Sequence, residues 1–256
     1  MKITPIPGTL FSIPQTAANN KKNRQPVYTD LLRKCLAEYI GTFALVFAGT
    51  MAIVTNEVSD GTVTHVGIAL TFGLVVMTGI FAVGDVSGAH FNPAVSLAFW
   101  LSRRLPAKET TAYIATQCIA AISASLTVRL LFPDNTGLGA TQPSGTITQS
   151  FILEVLMTFF LVFVIFSVST GAKEKGITAA IAIGGVVALE ALFGGPISGA
   201  SMNPARSLGP ALISGNLTHL WIYIAAPIIG AAIAVPTCKG VRENCCPDPS
   251  EEGSAC

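Results

Sequence analysis

The sequence predicts an all-α membrane protein with six transmembrane helices and two re-entrant half-helices, arranged as an inverted repeat. Three observations predict it. Only 11% of the 256 residues are charged and 51% are hydrophobic, whereas a soluble domain carries about 25% charged residues. Several apolar runs approach the roughly 20 residues that cross a bilayer. One polar, proline-bearing phrase occurs twice, as "SGAHFNPAVS" (Ser87–Ser96) and "SGASMNPARS" (Ser198–Ser207).

The apolar runs are Cys35–Val54, Val66–Val83, Ala112–Phe132, Ile152–Val168, Ile177–Phe193 and His219–Val235. Inside lipid every backbone polar group must be satisfied within its own segment, so runs of this length are helices. The short alternating segments of a transmembrane β-barrel are missing. Before the first run, residues 1–34 are interrupted by Pro5, Pro7, Pro14 and Pro26, which reads as a flexible tail without a cleavable signal peptide. Residues 35–235 form one transmembrane domain, with repeat one near 35–133 and repeat two near 150–235, and residues 236–256 form a second tail.

Lys and Arg orient the spans. Lys2, Lys21, Lys22, Arg24, Arg33 and Lys34 precede the first span. Arg103, Arg104 and Lys108 follow the second, Lys173 and Lys175 the fourth, and Lys239 and Arg242 the sixth. The first and third connections carry only Glu57, Asp60 and Asp134. Both termini are therefore expected in the cytoplasm. Of the six cysteines, Cys35 and Cys118 fall in or beside spans, which argues against a disulfide framework. Cys238, Cys245 and Cys246 are expected to be reduced tail thiols, with juxtamembrane palmitoylation as the alternative.

The two halves match beyond the repeated phrase. "AEYIGTFALVF" (Ala37–Phe47) opens the first span and "LEVLMTFFLVF" (Leu153–Phe163) the fourth, and Gly73 matches Gly184 in the register of the two phrases. Three spans per copy is an odd number, so the second copy enters from the opposite side. Inverted repeats of this kind place a functional site near the midplane, built by discontinuous helices.

The phrase itself predicts such helices. Asn92 and Asn203 are good N-caps, and Pro93 and Pro204 suit the first helical position. The apolar stretch after each lasts about ten residues, or about 15 Å of helix, which is half a bilayer. Entering from opposite faces, the two N-termini meet at the midplane, each with roughly half a positive charge. An asparagine that caps through its oxygen keeps its NH2 to donate into a cavity. A polar solute with a lone pair is held briefly there, while a cation or proton meets a barrier.

These residues resemble the aquaporin, or major intrinsic protein, family from about Ala37 to Val235. The resemblance rests on the boxes Asn92-Pro93-Ala94 and Asn203-Pro204-Ala205, on "SGAHFNPAV" and "NPARS", and on the glutamate of the first span in each half. It implies six tilted helices and two half-helices around one pore per subunit, a homotetramer, and passive passage of water. The second permeants it implies are small uncharged solutes such as glycerol, with protons and ions excluded. It implies that Glu38 and Glu154 brace the re-entrant loops by accepting backbone N–H bonds. It also implies a selectivity filter at Phe72, Ala191, Ala200 and Arg206. Arg206 is a fixed cation that orients polar solutes and repels cations.

Strict water channels of the family usually carry histidine where this chain has Ala191, and a polar or small residue at the place of Ala200. Two alanines widen the filter and make it more apolar, so glycerol, urea, ammonia, hydrogen peroxide or a metalloid acid can be expected beside water. Phe72, Ser207 and Tyr223 resemble water channels, and Ile224 resembles glycerol channels. "GPISGASMNPARSLGPA" is similar to the nodulin-like intrinsic proteins of plants, which pass glycerol and metalloid acids but usually lack the phenylalanine. The expected site is the cell (plasma) membrane. Alternatives are a glycerol, urea or metalloid facilitator with water secondary, or a junctional membrane protein.

Several single residues complete the reading. Glu190 is expected to pair with a polar neighbour away from the pore, with a pH-sensitive gate as the alternative. Asp85 is expected at the cytoplasmic entrance. His65 and His219 are expected to be interfacial, and His90 to line the pore or brace its loop. Asn216–Thr218 forms a glycosylation sequon. The sequence shows no nucleotide loop, metal-ligand cluster or nucleophile–base pattern, so no enzyme, metal, cofactor or nucleic-acid partner is expected.

Overall fold

Eight helices follow one another through the described residues. They are α1 (Val27–Val58), α2 (Thr64–Ser87), α3 (Pro93–Leu101), α4 (Ala107–Leu131), α5 (Ile147–Val168), α6 (Lys173–Ser198), α7 (Pro204–Ser214) and α8 (Leu220–Val241). The computed structural model describes residues 27–169 and 173–241. The terminal segments, with Cys245 and Cys246, and the side chains of Lys173 and Lys175 lie outside the described residues. Six helices are long and apolar enough to cross a membrane. The other two, α3 and α7, have 9 and 11 residues and so rise about 14 and 17 Å. They are the two half-helices that the repeated phrase predicts.

Two expected boundaries shift. The chain is helical from Val27, inside the stretch read as a flexible tail, and α8 runs past Val235 to Val241. Hydropathy marks only the lipid-buried part of a helix, and the polar turns beyond it have partners of their own. Lys34 lies 3.2 Å from both Asp30 and Glu109, which ties the start of α1 to α4. Cys35 and Cys118 are free. Cys238 departs from the expected tail thiol. It is fully buried in the helix bundle and disulfide-bonded. A side chain that faces inward is not presented for acylation.

The halves interlock. Helix α1 packs on α2 and α4, and α5 packs on α6 and α8. Each half-helix docks on the last span of the other half, α3 on α8 and α7 on α4, as well as on its own. The α7 contact is close because Gly209 faces the Ala121 carbonyl. The two halves also meet along α2 and α6, where the matched glycines cross. A Cβ on Gly73 would lie 2.5 Å from the Gly184 oxygen, and one on Gly184 would lie 2.6 Å from the Gly73 oxygen. Small residues permit this approach, which in lipid supplies packing energy that the hydrophobic effect does not.

Gly184→Leu should therefore separate α2 from α6 and cost about 3 kcal/mol, the upper range for overpacking. Thermal unfolding of the detergent-solubilised protein should show the loss, and Gly185→Leu should not, because a Cβ at Gly185 meets open space.

Candidate pore

Both re-entrant segments adopt a backbone that few side chains tolerate. Ala89 and Phe91 have φ of 51° and 51°, and Ala200 and Met202 have φ of 41° and 53°. Gly88 and Gly199, at 85° and 84°, begin the two segments. Non-glycine residues in the left-handed region persist only where the surroundings over-determine them. Here the surroundings are the two glutamates. Glu38 Oε1 accepts from Ser87 Oγ at 2.7 Å and His90 N at 2.9 Å, and its Oε2 accepts from Phe91 N at 2.7 Å and Gln117 Nε2 at 2.8 Å. Glu154 Oε1 accepts from Ser198 Oγ and Ser201 N, and its Oε2 from Met202 N, each at 2.8 Å. Both carboxyl groups are fully buried. A buried carboxylate needs such donors, and buried amides need such acceptors.

The asparagines then start the half-helices. Asn92 Oδ1 accepts from Ala94 N at 2.9 Å. Asn203 Oδ1 accepts from Ala205 N at 3.0 Å and Arg206 N at 3.2 Å. Both are extended N-caps followed by proline. The amide nitrogens do more than the sequence suggests. Asn92 Nδ2 donates to the Met202 carbonyl at 2.8 Å, and Asn203 Nδ2 donates to the Phe91 carbonyl at 2.9 Å. One N–H of each amide thus ties its loop to the other loop. An NH2 has two hydrogens, so one per asparagine remains for a solute.

Both asparagines line a single cavity at the centre of the helix bundle. Its walls are of two kinds. Phe72, Val76 and Ile80 of α2 and Ile183, Val187 and Ala191 of α6 form two apolar stripes at helical spacing, joined by Leu45, Leu161 and Ile165. The polar wall is the two re-entrant segments, Gly88–Asn92 and Ala200–Asn203. Phe72, Ala191, Ala200 and Arg206, distant in the chain, all reach this cavity. Pro93, Ala94, Pro204 and Ala205 are buried behind it as first turns of the half-helices.

Arg206 is 1% exposed. Its Nη1 donates to the Gly139 carbonyl at 2.9 Å, and its Cζ lies 5.1 Å from the Phe72 ring centroid, a cation–π contact. Among the described residues its Nε has no hydrogen-bond partner. The Gly139 contact comes from the α4–α5 connection, which nothing in the sequence assigns to the site. That connection folds inward at Gly139 (φ 65°), where a Cβ would lie 3.0 Å from Thr50. Thr141 Oγ1, from the same connection, donates to Ser207 Oγ at 2.8 Å.

Other residues read as indicators of selectivity fall elsewhere. Tyr223 is fully buried, outside the cavity, and its hydroxyl donates to the Ser198 carbonyl at 2.7 Å. Its counterpart Tyr113 does the same for Ser87 at 2.8 Å. These tyrosines brace the loops, and a tyrosine 21 residues past Asn92 and 20 past Asn203 is the signal that could have revealed it. Ile224 is on the outer surface, and Ser207 is buried outside the cavity. His90 lines the cavity and also braces its loop. Its Nδ1 lies 3.1 Å from Ser96 Oγ, and its ring lies 4.3 Å from Phe99. Glu190 is buried and absent from the cavity wall, but the expected polar partner is missing at Oε2 among the described residues. Asp85 is exposed beyond the cavity lining.

A six-span bundle with two facing half-helices and a cavity lined by both of their caps has the architecture of a membrane channel built on an inverted repeat. Known proteins agree. Residues 26–236 match the family model described as major intrinsic protein. The chain is 45% identical over 217 residues to Nodulin-26 of Glycine max, covering 84% of this chain and 80% of that one. It is 48% identical over 213 residues to Aquaporin NIP3-1 of Arabidopsis thaliana, covering 80% and 66%, and 45% identical over 206 residues to Aquaporin NIP1-1 of Zea mays, covering 80% and 73%. The X-ray structure of the aquaglyceroporin from Plasmodium falciparum shares the fold, with a TM-score of 0.74 at 24% identity over 84% of this chain and 98% of that one. The chain belongs to the major intrinsic protein family. It is a multi-pass membrane channel for water and small solutes, and not an enzyme.

Removing Glu38 would leave the N–H groups of His90 and Phe91 without an acceptor. Glu38→Ala should therefore cost about 3–5 kcal/mol and sharply lower the yield of monodisperse protein. Channels that do fold should keep the native ratio of water to glycerol flux, as read in proteoliposomes.

Proposed function

We propose that this channel conducts water and also admits small neutral solutes of glycerol size, while excluding protons and ions. The carrying observation is the composition of the cavity around Arg206. Phe72 keeps one wall bulky, whereas Ala191 and Ala200 offer only methyl groups. Phe72, Ala191, Ala200 and Arg206 act as the selectivity filter. Arg206 donates to a passing oxygen, and the two alanines leave room and apolar surface for a carbon skeleton. A solute with hydroxyls along one edge suits a cavity that is polar on one wall and apolar on the others.

Exclusion follows from the field. Two helix N-termini point at the midplane, and Arg206 adds a full charge nearby, so a cation meets a barrier. At Asn92-Pro93-Ala94 and Asn203-Pro204-Ala205 the remaining amide hydrogens occupy the lone pairs of a water molecule. Its own hydrogens are then turned outward along the pore, which breaks a hydrogen-bonded proton path. Glu38 and Glu154 hold the loops that present these donors.

In the same reading both termini face the cytoplasm, in keeping with Lys and Arg in the loops on that side. The protein is a homotetramer in the cell membrane, with one pore in each subunit and lipid around the assembly. No cofactor, metal or nucleic acid takes part. A second reading makes glycerol, urea or a metalloid acid the main permeant and water secondary, and the apolar filter wall favours it.

Osmotic swelling of proteoliposomes tests both. Water flux equal to that of empty vesicles, with folded protein present, would refute a water channel. Reswelling with glycerol, urea and boric acid then ranks the solutes. Ala191→His combined with Ala200→Thr should lower glycerol entry by about tenfold or more while sparing water, as expected when a pocket is narrowed by a few heavy atoms. Unchanged glycerol entry would remove the filter assignment.

A further inference from the structure

Helix α6 contains Pro196 close to its end. Proline has no N–H, so the Leu192 carbonyl lacks the donor that the helical ladder would supply four residues later. Such a carbonyl is open to a donor from elsewhere. It finds one on a different helix, since His65 Nε2 lies 2.7 Å from the Leu192 oxygen. A carbonyl only accepts, so Nε2 carries the hydrogen.

The surroundings are shaped for this contact. Gly195 lies against the imidazole, and a Cβ there would come within 2.7 Å of His65 Cε1. On the other side, Thr64 holds φ at 62°, an outlying conformation for a β-branched residue. Its N–H donates to Asn56 Oδ1 at 2.8 Å. This turn sets the first residues of α2 where His65 meets α6.

The contact lies at the filter end of the pore. Leu192 directly follows Ala191. His65 and Phe72 are seven residues apart and share a face of α2. The hydrogen bond therefore joins the two helices that carry opposite filter walls. The inverted repeat supplies an internal comparison. The counterpart of Pro196 is Asp85, which keeps its N–H, and the counterpart of His65 is Gly176. Neither partner recurs in the half without a filter arginine.

We propose that His65 is a positioning residue for solute selection. By holding the Leu192 carbonyl it fixes the Ala191 turn of α6 relative to Phe72, and so sets the width open to solutes larger than water. The proposal rests on the filter assignment made above. Without the bond the turn relaxes outward, which favours glycerol more than the smaller water.

The test measures glycerol and water permeability separately in proteoliposomes, per folded channel, for His65→Ala and for His65→Ala with Pro196→Ala. The second change returns a backbone N–H to Leu192 and makes the imidazole dispensable. In His65→Ala the glycerol-to-water ratio should rise about threefold or more, a small fraction of what such pockets discriminate. The double variant should restore the native ratio. A native ratio in His65→Ala, or an altered one that the double variant keeps, overturns the proposal. If His65→Ala does not fold, the double variant decides: a folded channel of native ratio supports the proposal, and any other result overturns it. Ala191→His with Ala200→Thr is measured alongside. If that pair leaves glycerol entry unchanged, the filter assignment itself has failed. If it acts and His65→Ala does not, only the role of His65 is lost.

Discussion

Backbone amides that enter a bilayer outside a helix need acceptors, and two buried carboxyl groups supply them here. Glu38 receives the N–H groups of His90 and Phe91, and Glu154 those of Ser201 and Met202. Everything at the centre of the molecule follows from this. The held amides keep Ala89, Phe91, Ala200 and Met202 in the left-handed region. That geometry places Asn92 and Asn203 as extended N-caps, and the caps start two helices at the midplane. The caps also cross-link, because each amide donates to the carbonyl of the opposite loop. The carboxylates are thus structural groups with a functional consequence, since they determine where the remaining asparagine hydrogens point.

Departures from the repeat are informative because the fold asks the same of both halves. Arg206 stands where the first half has Val95, and it is held by a carbonyl of the α4–α5 connection. The loop residue Phe91 corresponds to Met202, and the glycines that make room for the Phe91 ring, Gly41 and Gly79, correspond to Met157 and Glu190. Volume has moved from the loop to the flanking helices. This accounts for the bulk of Glu190 at a place where the other half tolerates only glycine. It does not account for the carboxyl group, whose Oε2 has no partner among the described residues.

The cavity sets two demands against each other. A solute must give up water to enter, so donors and acceptors have to replace it. It must also leave, so the replacement has to stay partial. Apolar stripes on α2 and α6 face a single polar line along the re-entrant segments, and that division satisfies both demands. At the filter end the division depends on the spacing of α2 and α6. The Gly73–Gly184 crossing brings these helices together near their middle, and His65 ties them near the end.

Much of this was legible in the chain. Six apolar runs, two copies of one phrase and the charge of the loops determine the number of spans, the inverted repeat and the half-helices, because lipid leaves the backbone few choices. Asparagine and proline at each box determine the caps, since capping is a local property. The helix ends past the lipid were not legible, because hydropathy reports burial in lipid and not helicity. Nor were contacts between distant segments. Gly139 on Arg206, Tyr223 on Ser198 and His65 on Leu192 each pair one polar atom with a backbone carbonyl. Every residue has such a carbonyl, and even where a proline such as Pro196 marks one that lacks its helical donor, no side-chain pattern marks which distant group will reach it. Tyr223, a residue that resembles water channels, proved to be a brace outside the cavity, which its identity alone does not reveal. The sequence by itself determined which helices form and where they break. Only the tertiary structure decided which side chains face the cavity and which hold the ones that do, because those choices rest on the close approach of segments far apart in the chain.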